Sequence, residues 1–306
     1  MSFNLPMIYG DVAHKSMMSA YDTAPHYWKK IAVSSEVKDF RPHTRLRMMD
    51  SFRFVKMSPN GGFEFGEVGE MKNTIQTETW GRSGAITRTD IINDDMGVMH
   101  DYMHWLGRGA ANAINLAVIE TLLDGLVDGK ETFFSKENEN LLTGADVNLG
   151  IEAFRKAELL FAERKAPGVA GDPSDGFMTL RPELLVVPAS LKYDAREFME
   201  SPKLNRTKDM VSENNQFANA YEVVCIPELG LLKHKNASRT AWYLFTRPLS
   251  GLSALEVCFL LGKRTPTIES SLNDDFDNIG GIRFRGYWDF GVALMDHRCA
   301  LKSKGV

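Results

Sequence analysis

The feature that most constrains the fold is the stretch 93–125, where apolar side chains recur every three to five residues, as on one face of a helix. The apolar positions are Met96, Met99, Met103, Leu106, Ala110, Ile114, Ala117 and Leu122. Asn93-Asp94-Asp95 supplies an N-cap and acidic residues for the positive end of the helix dipole, and Gly125 fits a C-cap. At about 1.5 Å per residue this helix would be about 45 Å long, so it predicts a rod that spans the whole subunit.

Small residues within the predicted helix indicate that another segment packs closely against it. They are Gly107, Gly109, Ala110, Ala111 and Ala113. Glycine lowers helix propensity, so this run costs some stability in the isolated helix. Close packing is therefore the expected reason for its presence.

The segment before the helix, residues 51–90, alternates like β-structure but has too few apolar residues for a core of its own. Ser58-Pro59-Asn60-Gly61-Gly62 is a strong turn signal between two alternating runs. An isolated hairpin is marginally stable in water, so we predict a protruding two-stranded loop that a neighbouring subunit covers. The expected inter-subunit contacts are Phe52, Phe54, Phe63, Phe65, Trp80 and Arg82.

Residues 1–50 contain isolated aromatic side chains without a sustained period. Two interpretations remain open from composition alone. The segment is either an arm that lies on another surface or an ordinary N-terminal segment packed on its own domain.

After the long helix, short helices and strands are intermixed without regular alternation, which is typical of the α+β class. The predicted helices are 149–165 and 190–200. The predicted strands are 184–188, 223–226, 241–245, 254–261, 281–286 and 287–298.

Composition excludes several classes of protein. The formal net charge of -4 gives no overall basic field of the kind that drives nucleic-acid binding, although a shell that only encloses nucleic acid needs none. The cysteines Cys225, Cys258 and Cys299 lie far apart, which predicts free thiols and neither a disulfide framework nor a zinc site. The start lacks the pattern of a signal peptide, and no stretch has the roughly 18 apolar residues of a membrane span. We therefore expect a soluble, intracellular chain without membrane contact.

No pattern of catalytic or metal-binding residues meets the requirements of its chemistry. His100 and His104 share a helix face but lack the glutamate of a zinc protease, so a solvated or hydrogen-bonded helix face is favoured over a metal pair. Asp289-Phe290-Gly291 copies a kinase triplet without the preceding kinase elements, and Asn273 to Asn278 lacks the spacing of a calcium loop. His297 and Cys299 are interpreted as structural. The sequence therefore predicts no enzyme, no cofactor and no metal.

Several phrases, in order, resemble the major capsid proteins of tailed phages with the Hong Kong 97-type fold, and in particular the Mu-type head subunits, including coat portions of prohead protease–capsid fusions. The similarity runs from about residue 50 to the end. The phrases are 86–97, 107–111, 181–188, 241–244, 259–262 followed by Pro266, and 287–293.

This resemblance implies a division of the chain. Residues 1–50 would be an N-terminal arm, and 51–92 an extended loop that reaches over an adjacent subunit. Residues 93–146 and 251–295 would form the peripheral domain, with the long helix as its spine. Residues 147–250 and 296–306 would form the axial domain at the centre of each hexamer or pentamer.

The resemblance also implies a function and partners. The chain would self-assemble into the icosahedral head of a double-stranded DNA phage, with portal, scaffold, protease or decoration proteins as partners and non-specific contact with packaged DNA. It would occur in the virion, and in the host cytoplasm during assembly. Two alternatives are an encapsulin-type compartment shell and a soluble enzyme with an unrecognised site.

Overall fold

The computed structural model describes residues 5–47, 61, 71–87, 89, 93, 96–129, 131–164, 180–205, 212–231, 233–249, 252–272 and 281–305. The helices are α1 (Leu5–Thr23), α2 (Trp28–Ile31), α3 (Met96–Asp124), α4 (Ile151–Ala162), α5 (Lys192–Glu200) and α6 (Glu228–Leu231), with short 3₁₀ helices at Ala189–Leu191 and His297–Cys299. The strands are β1 (Ala32–Val37), β2 (His43–Arg47), β3 (Met71–Ile75), β4 (Glu78–Thr87), β5 (Leu126–Val127), β6 (Glu131–Thr132), β7 (Leu141–Leu142), β8 (Leu184–Val187), β9 (Lys203–Asn205), β10 (Ser212–Asn214), β11 (Glu222–Cys225), β12 (Trp242–Phe245), β13 (Leu255–Leu260), β14 (Thr267–Leu272), β15 (Gly281–Leu294) and β16 (Ala300–Ser303).

The first sheet is organised around β15, which is long enough to pair with three strands. One edge of β15 carries β14 and then β13, and the other edge carries β4 over ten residue pairs. The remaining strand, β1, adds to β13 in parallel orientation. Among the described residues β4 pairs only with β15, so its outer edge is open.

The second sheet has the order β11-β8-β12-β16-β7. Its central strands β8 and β12 are buried at every position, which explains why they are continuous apolar runs rather than alternating ones. The C-terminal strand β16 returns from the first sheet to pair with β12. The second sheet therefore combines strands from the middle of the chain, such as β7, with the C-terminal strand β16.

The helix α3 packs between the two sheets. One continuous core cluster joins its residues Ile114, Val118 and Leu122 to apolar residues of both sheets. A second cluster lies between the second sheet and α4, around the fully buried Phe154. This arrangement confirms the prediction of an α+β chain with a long central helix.

The N-terminal segment packs on its own subunit where the structure describes it. Met17, Ala20 and Tyr21 of α1 are buried, and a side chain at Gly107 of α3 would overlap the Met17 carbonyl oxygen. Among the small residues of α3, Gly107 thus provides the close approach to α1 that their pattern indicated. Of the two interpretations of residues 1–50, this structure shows packing on the chain's own domain for 12–37, with β1 forming part of the first sheet.

Several predicted elements need correction. The predicted strands 281–286 and 287–298 form one strand that ends at Leu294 and is followed by a 3₁₀ helix, and β14 was not predicted. Within the range 51–92, residues Glu78–Thr87 form β4 and pair with β15 of the first sheet. Leu141–Leu142, in a range predicted to be a polar loop, pair with β16 of the second sheet. These errors share a cause, because strand partners from distant parts of the chain decide which β-prone residues join a sheet.

Candidate inter-subunit groove

A groove of about 420 Å³ lies where α3 crosses β4 and β15. We call it the α3–β4 groove. The residues that line it are Met17, Trp80, Gly81, Arg82, Tyr102, Trp105, Leu106, Gly109, Ala110, Ala113, Pro266, Gly286, Tyr287 and Trp288. Small residues of α3 and glycines of the two strands leave the space, and large aromatic residues surround it.

Aromatic stacking across β4 and β15 builds the wall formed by the sheet. Trp80 lies opposite Trp288 in the antiparallel register and stacks on Phe290, with ring centroids 5.4 Å apart and an interplanar angle of 12°. Side chains paired in this way on one face of a sheet stabilise each other. Trp288 packs against Phe259 and Phe290 and is buried, whereas 39% of Trp80 remains exposed. Trp80 is therefore held in one position with a free face.

The helix wall contributes the most exposed large apolar side chain of the described residues, Trp105, at 78% exposure. Trp105 follows Met103 and precedes Leu106, but it lies outside the buried face of α3. Sequence reasoning missed it because the apolar stripe was traced through Leu106. A tryptophan among the polar positions of an amphipathic helix was the signal that could have found it.

The groove has the chemistry of a contact surface. Its described lining contains no carboxylate, histidine, cysteine or lysine, and Arg82 is its charged residue. A hydrogen bond from the Tyr287 hydroxyl to Glu269 Oε1, 2.9 Å long, raises the pKa of that tyrosine, so the hydroxyl stays neutral. Such a lining can bury an apolar partner and offers no general acid–base pair for catalysis.

The predicted contact residues divide between the groove and the undescribed part of the chain. Trp80 and Arg82 lie together on β4, and both are exposed at the groove. Phe52, Phe54, Phe63 and Phe65 lie outside the described residues.

The base of the predicted loop is fixed to the first sheet. Strands β2 and β3 form a two-stranded antiparallel ribbon, from His43↔Ile75 to Arg47↔Met71. The Arg45 guanidinium donates to Glu256 Oε1 of β13 at 2.7 Å, and this buried glutamate also accepts from the Ser35 hydroxyl. The two ends of the stretch 48–70 are therefore held side by side and tied to their own subunit.

The other candidates for chemistry have structural roles in this fold. His100 hydrogen-bonds Ser16 of α1, with Nδ1 3.0 Å from Oγ, and packs against His104. Burial raises the pKa of the Cys258 thiol to about 11 and that of Cys299 to about 12, which keeps both thiols protonated and unreactive near neutral pH. Asp289-Phe290-Gly291 lies inside β15. The acidic run 273–278 lies outside the described residues.

Neither a metal centre nor a membrane span occurs in the described part of the chain. No group of three or more histidine, cysteine, aspartate or glutamate residues there could hold a metal ion. No described helix combines the length and the apolar character needed to cross a membrane.

Comparison with known families decides what this fold is. The sequence profile described as phage capsid protein matches residues 70–303, which is most of the chain. This chain belongs to the phage capsid protein family. The match spans β3 to β16 and so includes α3, the second sheet, the first sheet except β1, and most of the α3–β4 groove. No curated protein matches the chain.

Solved capsid structures share the fold at low sequence identity. The procapsid of bacteriophage JBD30 is 14% identical, with a TM-score of 0.53 over 99% of this chain and 76% of that one. The capsid of cyanophage P-SCSP1u is 10% identical, with a TM-score of 0.56 over 92% of this chain and 88% of that one. A virus-like particle from Pyrococcus furiosus is 9% identical, with a TM-score of 0.53 over 97% and 99% of the two chains.

Family and fold together confirm two predictions made from the sequence. The fold is the Hong Kong 97-type capsid fold, and the function is that of a tailed-phage major capsid protein. The encapsulin-type alternative is not favoured. The phage capsid protein is thus a structural component of the virion.

Proposed function

We propose that this capsid protein assembles into hexamers and pentamers of an icosahedral head that encloses double-stranded DNA, and that its α3–β4 groove receives the extended loop of a neighbouring copy. The observation that carries the proposal is the exposed pair Trp80 and Trp105 around an apolar groove. Aromatic side chains in such positions dominate the energy of protein interfaces. Because capsid proteins assemble from many copies of one chain, the partner of these tryptophans is a second copy.

The loop supplies chemistry that matches the groove. Phe52, Phe54, Phe63 and Phe65 alternate with polar residues, so each pair occupies one face of an extended segment. The β2–β3 ribbon starts this segment in an extended geometry, and the Arg45–Glu256 ion pair fixes its root. A loop held in this way loses less conformational freedom on binding.

The same proposal assigns the regions of the chain. Residues 51–92 supply the loop, 93–146 and 251–295 the peripheral domain, and 147–250 with 296–306 the axial domain. Residues 1–50 are assigned as the N-terminal arm, of which 12–37 lie on their own subunit. Support comes from the two sheets, since β13 to β15 belong to the first and β8, β11, β12 and β16 to the second.

Further partners belong to the proposal as well. A portal, a scaffold or protease, and a decoration protein are expected during assembly, which would take place in the host cytoplasm. Packaged DNA would be contacted non-specifically and weakly, because a formal net charge of -4 provides no strong basic field to attract phosphates. We propose that the chain has no enzymatic activity and no cofactor, consistent with a groove lining that lacks an acid–base pair.

Electron microscopy and size-exclusion light scattering of the purified protein test the proposal. Wild-type protein is expected to form closed shells, or hexamers and pentamers that close when conditions change. Deletion of 58–70 removes the turn and Phe63 and Phe65, so it should leave a folded, soluble subunit that forms no shells. Trp105→Ser should weaken assembly by about tenfold or more in critical concentration, because an exposed aromatic anchor is lost.

The control is Glu120→Ser, an exposed position on the same helix outside the groove, which should assemble like wild type. Normal shells from the deletion variant or from Trp105→Ser would refute the role of the groove. A stable monomer or dimer from the wild type, even with scaffold and protease supplied, would refute the shell itself.

A further inference from the structure

The turn between β13 and β14 has a backbone that its sequence does not favour. Leu261 has φ of +50° and Gly262 has φ of +70°. The Lys263 amide donates to the Leu260 carbonyl at 3.1 Å, which closes a tight turn with both central residues in the left-handed region. Asn-Gly is the usual pair for this turn, and a leucine in the first position is strained.

Leu261 differs in kind from the other residues with this conformation. The remaining described non-glycine residues with positive φ are Asp128, Glu139, Asp146 and Asn219, all polar side chains. Asparagine and aspartate tolerate the left-handed region, whereas a bulky apolar residue there is an outlier. Leu261 is also 69% exposed, so contacts within its own subunit do little to offset the free-energy cost of the strained backbone.

The turn is nevertheless held rigidly. The Leu261 amide donates to the Val37 carbonyl at 2.8 Å, and the Trp288 indole donates to the Lys263 carbonyl at 2.9 Å. Two different strands of the first sheet therefore fix the backbone on either side of Leu261. The side chain is presented to solvent in a defined position, as an anchor residue would be.

We propose that Leu261 is an inter-subunit contact that inserts into an apolar site on a second copy of this chain. Backbone strain without a benefit inside the subunit points to a role outside it. The same connection between β13 and β14 includes Pro266, which lines the α3–β4 groove, so the turn extends the surface already assigned to assembly. Lys263 and Arg264, both exposed, follow the apolar tip and favour an acidic rim around the receiving site.

Substitution at this position separates assembly from folding, because the residues that suit the turn are not apolar. Leu261→Asn and Leu261→Gly relieve the backbone strain, so the melting temperature of the unassembled subunit should stay equal or rise. The same variants lose the apolar contact, so the critical concentration for shell formation should rise by about tenfold or more. Leu261→Met keeps an apolar side chain and should assemble within about twofold of wild type.

The inference rests on the proposed shell function, and the wild type in the same light-scattering assay tests that function separately. Shells from wild type but not from Leu261→Asn or Leu261→Gly, with unchanged or higher melting temperature, are the expected result. Assembly of those variants at the wild-type concentration would overturn the inference alone. A lower melting temperature of the asparagine and glycine variants would also overturn it, because Leu261 would then serve its own subunit.

Discussion

At the scale of single residues, a buried polar side chain fixes the position of strand β3 against the first sheet. Asn73 of β3 is 3% exposed, and its amide donates to the carbonyls of Leu294 at 3.0 Å and Met295 at 2.9 Å. A buried amide that serves two backbone acceptors specifies where β3 meets the end of β15. No period in the sequence marks this residue, because its importance comes from partners more than two hundred positions away.

We expect Asn73→Ala to lower the free energy of unfolding by about 1–3 kcal/mol, since two buried carbonyls lose their side-chain donor. Calorimetry of the unassembled subunit measures this as a lower melting temperature. Asn112→Ala, at an exposed position of α3, is the control and should change stability by less than about 0.5 kcal/mol. Equal melting temperatures for the two variants would contradict the role given to Asn73.

At the scale of elements, the crossing of α1 and α3 shows which small residues of the helix serve packing. A side chain at Gly107 would overlap the Met17 carbonyl and lie 3.1 Å from the Ala20 methyl group. A side chain at Gly109, two positions later, would meet nothing within 4 Å. The sequence presents both glycines alike, and only the path of α1 distinguishes them.

Alanine substitution at these two positions should therefore have opposite effects. Gly107→Ala gains helix propensity but displaces backbone of α1, so we expect a net loss of about 1–3 kcal/mol. Gly109→Ala gains propensity without a clash and should stabilise the subunit by about 0.5–1 kcal/mol. Chemical denaturation of the unassembled subunits measures both. Stabilisation of equal size at both positions would show that α1 does not pack at Gly107 in solution.

At the scale of the whole molecule, the burial of cysteine thiols and tyrosine hydroxyls makes the stability of the fold decrease at alkaline pH. Burial is the main cause that raises the pKa of Cys258 from 9.0 to about 11 and that of Cys299 to about 12. It also raises the pKa of Tyr21 and Tyr243. In the unfolded chain these groups ionise near their ordinary pKa values, whereas the folded chain keeps them protonated to higher pH.

The sign of the effect follows from proton binding. Between about pH 9 and 12 the folded state binds more protons than the unfolded state, so raising the pH favours unfolding. Below about pH 8 these groups should not change the melting temperature. Above about pH 9 they should lower it. The double variant Cys258→Ala/Cys299→Ala should show a shallower fall, whatever its melting temperature at pH 7. An equally steep fall would indicate that the two thiols are not buried in solution.

The sequence by itself determined the local elements whose signal is periodic. The spacing from Met96 to Leu122 predicted α3 almost to its ends, with Gly125 in the left-handed conformation after it. The apolar runs of β8 and β12 predicted buried strands in the same way. The hydrophobic period of an element and the residues that start and stop a helix are close together in the sequence. They can therefore be recognised without knowledge of the fold. The phrases that resemble phage capsid proteins added the family.

Only the tertiary structure decided what depends on residues far apart in the chain. It placed Glu78–Thr87 in the first sheet beside β15, and it brought Trp80 and Trp105 to one groove. It also showed that Leu261 is exposed in a strained turn, whereas its sequence resembles an ordinary strand end. Strand pairing, close approach of helices and exposure are long-range properties, because each depends on which distant segment lies opposite. The proposed contact surface of this capsid protein therefore appears only once the chain is folded.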